Sequence, residues 1–147
     1  MKDREGKNHP HLLMLDEFGG EIEGELKFNK SLYQYRHRAV SEENWAFKRE
    51  QWGPTDPGFT SIMDSMDDLN LTDNSDDEPI HIFRITSKGR QVASGIKRGL
   101  GKLDPGFSEK LDTISSVAHR NKNRSGSEIV EDDDIQEAKE ETYQSNV

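Results

Sequence analysis

WAFKREQWGP (45–54), DPGFTSIMDSMDDLNL (56–71), EPIHIFRITSKG (78–89) and RQVASGIKRGLGKL (90–103) follow one another through the middle of the chain. The first alternates loosely between apolar and polar residues, as a short strand does, and Gly53-Pro54 stops it. In the second, Asp56 and Pro57 open a helix: the Asp side chain accepts free N–H groups of the first turn, and Pro has none to satisfy. Phe59, Ile62, Met63, Met66 and Leu69 then share one face, with Thr60, Ser61, Asp64, Ser65 and Asp68 on the other, so the methionine stripe reads as core. Residues 71–79 read as a polar, acidic loop, 81–86 as a strand rich in β-branched and aromatic residues, and Thr86 as the start of the next helix. There Val92, Ala93, Ile96, Leu100 and Leu103 form an apolar stripe opposite Arg90, Lys97, Arg98 and Lys102. Gly95, Gly99 and Gly101 each weaken that helix by about 1 kcal/mol against Ala.

Toward the N-terminus, 1–8 is polar and expected to be disordered. Residues 11–18 place Leu12, Leu13, Leu15 and Phe18 ahead of Gly19-Gly20, which predicts a short first helix with a glycine stop. In 26–39, Phe28, Leu32, Tyr35 and Ala39 make one helical face, and Lys27, Lys30, His37 and Arg38 make the other, basic one. A polar connection follows at 41–44.

Toward the C-terminus, Asp104-Pro105-Gly106-Phe107 repeats Asp56-Pro57-Gly58-Phe59. The flanks do not match, so the echo reads as two helices with one start signal rather than as a duplication. The second helix carries Phe107, Leu111, Ile114 and Val117, an apolar face that either the domain or a second subunit must cover. Residues 128–147 hold eight acids against Lys139, so 119–147 is expected to be a disordered acidic tail, with a helix formed on a partner as the alternative. One domain is expected, spanning 9–118 between polar ends.

Composition narrows the function classes. Only 30% of the 147 residues are hydrophobic, so the core must come from the middle of the chain. With no cysteine there is neither a disulfide framework nor a thiolate metal site, and no apolar run is long enough to span a bilayer. A cytoplasmic protein with no membrane association and no cofactor is expected. The net charge of −9 is unevenly spread: residues 54–78 carry eight acids and no Lys or Arg, and 79–103 carry six bases and no acid. Acid richness with low hydrophobicity also resembles proteins of salt-loving archaea and their viruses, in which molar salt screens such charges within about 3 Å.

Leu26, Lys30, Leu32 and Tyr33, then Trp52-Gly53-Pro54, then Thr86, Lys88 and Gly89 stand in an order that resembles a group of prokaryotic, largely archaeal, winged-helix proteins of poorly defined function. The likeness covers about residues 9–118. It implies a mainly α, α+β fold: a winged helix-turn-helix with a small β-wing and an additional C-terminal helix. It further implies a regulator that binds double-stranded DNA. The third helix has no Lys or Arg, so docking would fall to the wing and the basic helix, through Lys88, Arg90, Lys97, Arg98 and Lys102, with Lys27, Lys30 and Arg38 tracking phosphates and Ser61 and Ser65 touching bases. Phe107, Leu111, Ile114 and Val117 are the residues expected to pair two copies in a dimer.

The competing expectation is a protein-interaction or dimerisation module whose acidic third helix and tail meet a basic partner. An enzyme is disfavoured. The glycines at 95, 99 and 101 lack the Lys-Ser/Thr of a phosphate loop, Asp67 and Asp68 point to different sides of a helix, and His9-Pro-His11 reads as incidental.

Overall fold

The computed structural model describes residues 2–39, 45–75 and 81–147, with side chains from Pro10 onward in the first helix. The connection expected at 41–44, and the run 76–80 between the two hairpin strands, lie outside the described residues. In chain order the elements are α1 (Lys2–Glu17), β1 (Glu21–Glu23), α2 (Glu25–Arg38), β2 (Lys48–Glu50), β3 (Gly53–Thr55), α3 (Phe59–Asp68), β4 (Thr72–Ser75), β5 (Ile82–Ile85), α4 (Ser87–Leu103), α5 (Phe107–Asn121), α6 (Gly126–Val130) and α7 (Asp133–Lys139). The architecture is mixed α+β, mainly helical, with two small antiparallel sheets.

β5 is the middle strand of the larger sheet, in the order β1-β5-β4. Its register puts Phe83 opposite both Ile22 and Asn74, so the inward residues Ile22 and Phe83 face the core while Arg84 pairs outward with Glu21 at 2.8 Å. β4 was expected to be part of an acidic loop. Its residues, Thr-Asp-Asn-Ser, are poor strand formers, and pairing with β5 is what makes them a strand. The reversal that permits this pairing comes from Asn70, which ends α3 in a left-handed conformation with φ 61°. Likewise 45–52 is not one strand. Gly53 takes φ +111°, open to glycine at no steric cost, and turns the chain so that 53–55 pairs back on 48–50.

The helices largely follow their apolar patterns. α1 is buried on every side from Pro10 to Leu15 and packs against α5, α4 and α2; it begins at Lys2 rather than near His11. Phe28, Leu32 and Tyr35 of α2 with Ala39 at its C-cap, and Phe59, Ile62, Met63 and Met66 of α3, are buried as expected, whereas Leu69 is exposed. The echoed Asp-Pro-Gly-Phe segments behave alike. Asp56 and Asp104 each accept the N–H of the following glycine at 3.0 Å, and each backbone carbonyl accepts the phenylalanine N–H at 3.1 Å. The carboxylates therefore close a turn just before each helix rather than cap its first turn as expected: α3 and α5 begin at Phe59 and Phe107, with Gly58 and Gly106 at the cap positions.

His11 lies at the centre of the core, which corrects its reading as an incidental residue of a loose terminus. Its side chain and that of Asp56 are fully buried, with Nε2 3.0 Å from Oδ2. A carboxylate only accepts, so Nε2 carries the proton and donates it. Phe28, Trp45 and Phe59 surround the imidazole at centroid distances of 6.3, 5.4 and 5.9 Å. Asp56 N–H in turn donates to Asn29 Oδ1 at 3.0 Å, so this one residue, through its carboxylate and its backbone, joins α1, α2 and the start of α3.

The segment from 119 onward also differs from its expectation. α5 runs to Asn121, and α6 and α7 lay Ile129, Val130, Ile135 and Ala138 into the core against α2 and β3. Two of its acids, Asp132 and Asp134, are held by partners, while Glu131, Asp133, Glu137, Glu140 and Glu141 stay exposed. Arg124 clasps Asp132 at 2.9 and 2.6 Å, and Gln34 donates to Asp132 and Asp134 at 2.8 and 3.1 Å. Buried Asn121 donates to Ser31 and Gln34 at 3.0 and 2.9 Å. Ser125 and Glu128 close a capping box on α6. The last residues run beside β2: Arg49 N–H donates to Ser145 O and Val147 N–H to Phe47 O, each at 2.9 Å, and Arg36 reaches Val147 O.

Two stability outcomes follow from this packing. Ile135→Ala is expected to cost about 2–4 kcal/mol in urea unfolding, where a disordered tail would give no change. Asp56→Ala, which leaves His11 buried without its acceptor, is expected to cost about 3–5 kcal/mol. Burial alone would raise the Asp56 carboxyl, but the His11 hydrogen bond and charge and the Gly58 N–H outweigh it and hold it below the usual range. Its contribution is therefore in place above about pH 4 and is lost as pH falls further through the depressed value, which an acid titration followed by circular dichroism will show.

Candidate functional site

The exposed face of α3 consists of Thr60, Ser61, Asp64, Ser65 and Asp68, with Asp67 half-buried beside it and Asp73 exposed on β4. No Lys or Arg stands anywhere on these two elements. The hydroxyls of Ser61 and Ser65 are thus accessible, but they are flanked by carboxylates rather than by cations.

The cations nominated for DNA do not form one free surface. Lys30 is 2% exposed, and its Nζ donates to Pro54 O at 2.8 Å and to Thr55 Oγ1 at 3.4 Å, so it cannot reach a phosphate. Helical periodicity put it on the polar side of α2; the β2–β3 hairpin and α7 then cover that side. Lys27 is half-buried; its Nζ donates a hydrogen bond to Lys122 O at 2.9 Å and lies 5.5 Å from the Phe18 ring centroid. Lys97 is held by Asp16 at 2.7 Å and Glu17 at 2.5 Å, and Arg90 by Asp16 at 3.3 Å and Gly19 O at 2.9 Å. For Lys97, burial alone would lower the pKa, but the two carboxylates outweigh it and raise it. These contacts fasten the basic face of α4 to the end of α1. Lys88 is exposed but donates to Leu69 O at 3.0 Å. Arg98 and Lys102 on α4, and Arg38 at the end of α2, are exposed with no ion pair among the described residues.

The residues expected to pair two copies are spent within one. Phe107, Ile114 and Val117 are at most 4% exposed, and Leu111 packs half-buried on the same core, where α5 meets α1 and α2. The domain itself covers this face. The apolar side of α4 is less well covered: Val92 and Leu103 are exposed, the latter at 82%.

A second site joins residues that no sequence pattern connects. The first turns of α2 (Glu25, Leu26, Asn29, Lys30), the β2–β3 hairpin (Glu50, Gln51, Trp52, Thr55) and Tyr143 line an open cleft of about 350 Å³. Trp52 and Tyr143, 56% and 52% exposed, are the aromatic side chains of this cleft, and neither was singled out as functional from the sequence. Burial pushes Lys30 down to about 8, against the opposing pull of Glu25 and Glu50.

No protein-family model matches this chain, and no curated protein matches it either. Among the described residues no helix is long and apolar enough to cross a membrane, and no group of three His, Cys, Asp or Glu side chains could hold a metal ion.

The lowered Lys30 value sets a pH dependence. Unfolded, this amine binds its proton up to about pH 10.5; folded, it releases it near pH 8. Between those values the unfolded chain holds more protons, so stability rises with pH, by up to about 3 kcal/mol. Urea unfolding at pH 7.5 and at pH 10 will show the rise in wild type and its loss in Lys30→Met.

Proposed function

We propose that this chain is a winged-helix protein-interaction module that presents α3 and the adjoining hairpin to a basic partner. Several features support the winged-helix reading. A helix, a strand and two further helices precede the β4–β5 hairpin, and β1 closes the sheet on β5. On this reading the β2–β3 hairpin is an insertion between the second and third helices, and α4 to α7 are additions that wrap the domain.

The observation that carries the function is the acidic exposed face of α3, Asp64 and Asp68 among hydroxyls with no cation on the element. In a winged helix this is the element that would enter the major groove, and each aspartate brought there opposes the phosphates. The same face suits a surface rich in Lys and Arg, where complementary potentials steer association. DNA docking keeps the support of Arg98, Lys102 and Arg38, exposed with no ion pair among the described residues, and it becomes the opposing outcome of the test.

Fluorescence anisotropy with two labelled probes, a Lys- and Arg-rich peptide and a random DNA duplex, separates the readings. Peptide binding is expected to weaken with salt, to fall roughly tenfold in Asp64→Asn/Asp68→Asn, and to stay unchanged in Glu140→Gln/Glu141→Gln. Duplex binding that is lost in Arg98→Glu/Lys102→Glu would overturn the proposal in favour of DNA, and peptide binding indifferent to Asp64 and Asp68 would overturn it outright.

A further inference from the structure

The cleft between α2 and the β2–β3 hairpin has the chemistry of a receptor for an organic cation. We propose that it takes one lysine or arginine side chain of the partner, with Trp52 and Tyr143 as aromatic walls and Glu25 and Glu50 as counter-charges. This deepens the reading of the partner as basic and rests on it.

The first observation is the placing of the aromatics. Trp52 sits at the hairpin turn and Tyr143 near the end of the chain, yet both border one cavity with more than half of each side chain in solvent. An indole and a phenol held open at one cleft present ring faces, whose negative quadrupoles attract an ammonium or a guanidinium. Tyr143 already serves in this way for the protein's own Arg49, whose guanidinium carbon lies 6.0 Å from the ring centroid and is fastened by Lys139 O and Glu50 O. An incoming cation competes with that guanidinium for the phenol ring but meets an indole that has no ring or cation contact among the described residues.

The second observation is charge. Neither Glu25 nor Glu50 forms an ion pair among the described residues, and both act on Lys30. Lys30 does not neutralise them: its ammonium is committed to Pro54 O and Thr55 Oγ1, and burial leaves its proton weakly held. Lys139 lies close enough to lower it further. The lining itself carries Glu25 and Glu50, with no ion pair among the described residues, against Lys30, while Lys139 and Arg49 stand at its edge, the latter fastened to Lys139 O and Glu50 O. An anion entering here would face both carboxylates and would find the Asn29 side chain already engaged by Glu25 O and Asp56 N–H.

The third observation is size. About 350 Å³ is at the lower end of ligand pockets and holds an alkylammonium or alkylguanidinium tip with its stem along Leu26. The larger groove of about 880 Å³ beside α6 lacks this pattern: the aromatic residue in its lining, Phe18, is buried with Lys27 Nζ 5.5 Å from its centroid, and Glu128 is closed in a capping box with Ser125.

The test is proton–nitrogen NMR of the full chain, with the Trp52 indole signal assigned through Trp52→Phe and the buried Trp45 indole as internal reference. The probes are n-butylguanidinium, n-butylammonium, n-butyrate and n-butanol. The two cations are expected to shift the Trp52 signal with millimolar affinity, leaving Trp45 in place. Glu25→Gln/Glu50→Gln is expected to weaken the response roughly fivefold, with an unchanged spectrum elsewhere showing that the fold is intact. No shift at tens of millimolar, an equal shift with butyrate or butanol, or an unaltered response in the glutamine variant would each overturn the proposal. Asp64→Asn/Asp68→Asn is expected to leave the small-cation response as it is, so failure of the α3 reading and failure of the cleft reading give different results.

Discussion

The contact between His11 and Asp56 sets the relation of the three helices around which everything else is laid. Both side chains are wholly out of water, and an imidazole and a carboxylate in that position are tolerable only because each satisfies the other. The geometry leaves little freedom. His11 must sit one turn before the end of the buried run of α1, and Asp56 must turn one oxygen to His11 and the other to Gly58 N–H while its own N–H reaches Asn29. The aromatic walls of Phe28, Trp45 and Phe59 exclude the water that would otherwise compete. A hydrophobic replacement could fill the same volume, but it would not tie the start of α3 to α1 and α2 at fixed points.

A second layer of polar contacts attaches the C-terminal segment. Asn121, Gln34, Ser31, Arg124 and Asp132 form a connected set in which each buried donor meets an acceptor, and Ile129, Ile135 and Ala138 add apolar burial beside it. Such a set stabilises only when it is complete. This explains how a stretch so acidic folds: its carboxylates at 132 and 134 are spent on Arg124 and Gln34. The cleft is a product of the same wrapping, because Tyr143 reaches the hairpin only once α6 and α7 are in place.

Of the cations nominated for DNA, Lys30 is internal and Lys97 and Arg90 are held on α1, whereas Arg38, Lys88, Arg98 and Lys102 are exposed, as are the acids of α3. Asp16 and Glu17 draw Lys97 and Arg90 onto α1, and Pro54 O draws Lys30 inward, while Asp64 and Asp68 meet solvent. An electrostatic surface read from the order of charges along the chain thus fails for Lys30 on the basic side and for Asp56 on the acidic side, and holds for Asp64 and Asp68. The proposed preference for a basic partner rests on those two exposed aspartates.

Much of the local structure was legible in the residues themselves. The apolar faces of α2 and α3, the glycine stop after α1, the Thr86 cap that accepts Gly89 N–H at 3.0 Å, and the shared Asp-Pro-Gly-Phe starts all depend on neighbours within a few positions. Periodicity and capping chemistry act over that range, so sequence alone determines them. Only the tertiary structure decided the rest. Strand β4, the folding of the acidic segment, the burial of His11 and Lys30 and the inward use of Phe107, Ile114 and Val117 each depend on a group far away in the chain. The physical reason is common to them. The free energy of a polar group is set by what stands opposite it, and a residue such as Lys30 reads as solvated until Pro54 O and Thr55 Oγ1, brought from another element, replace the water.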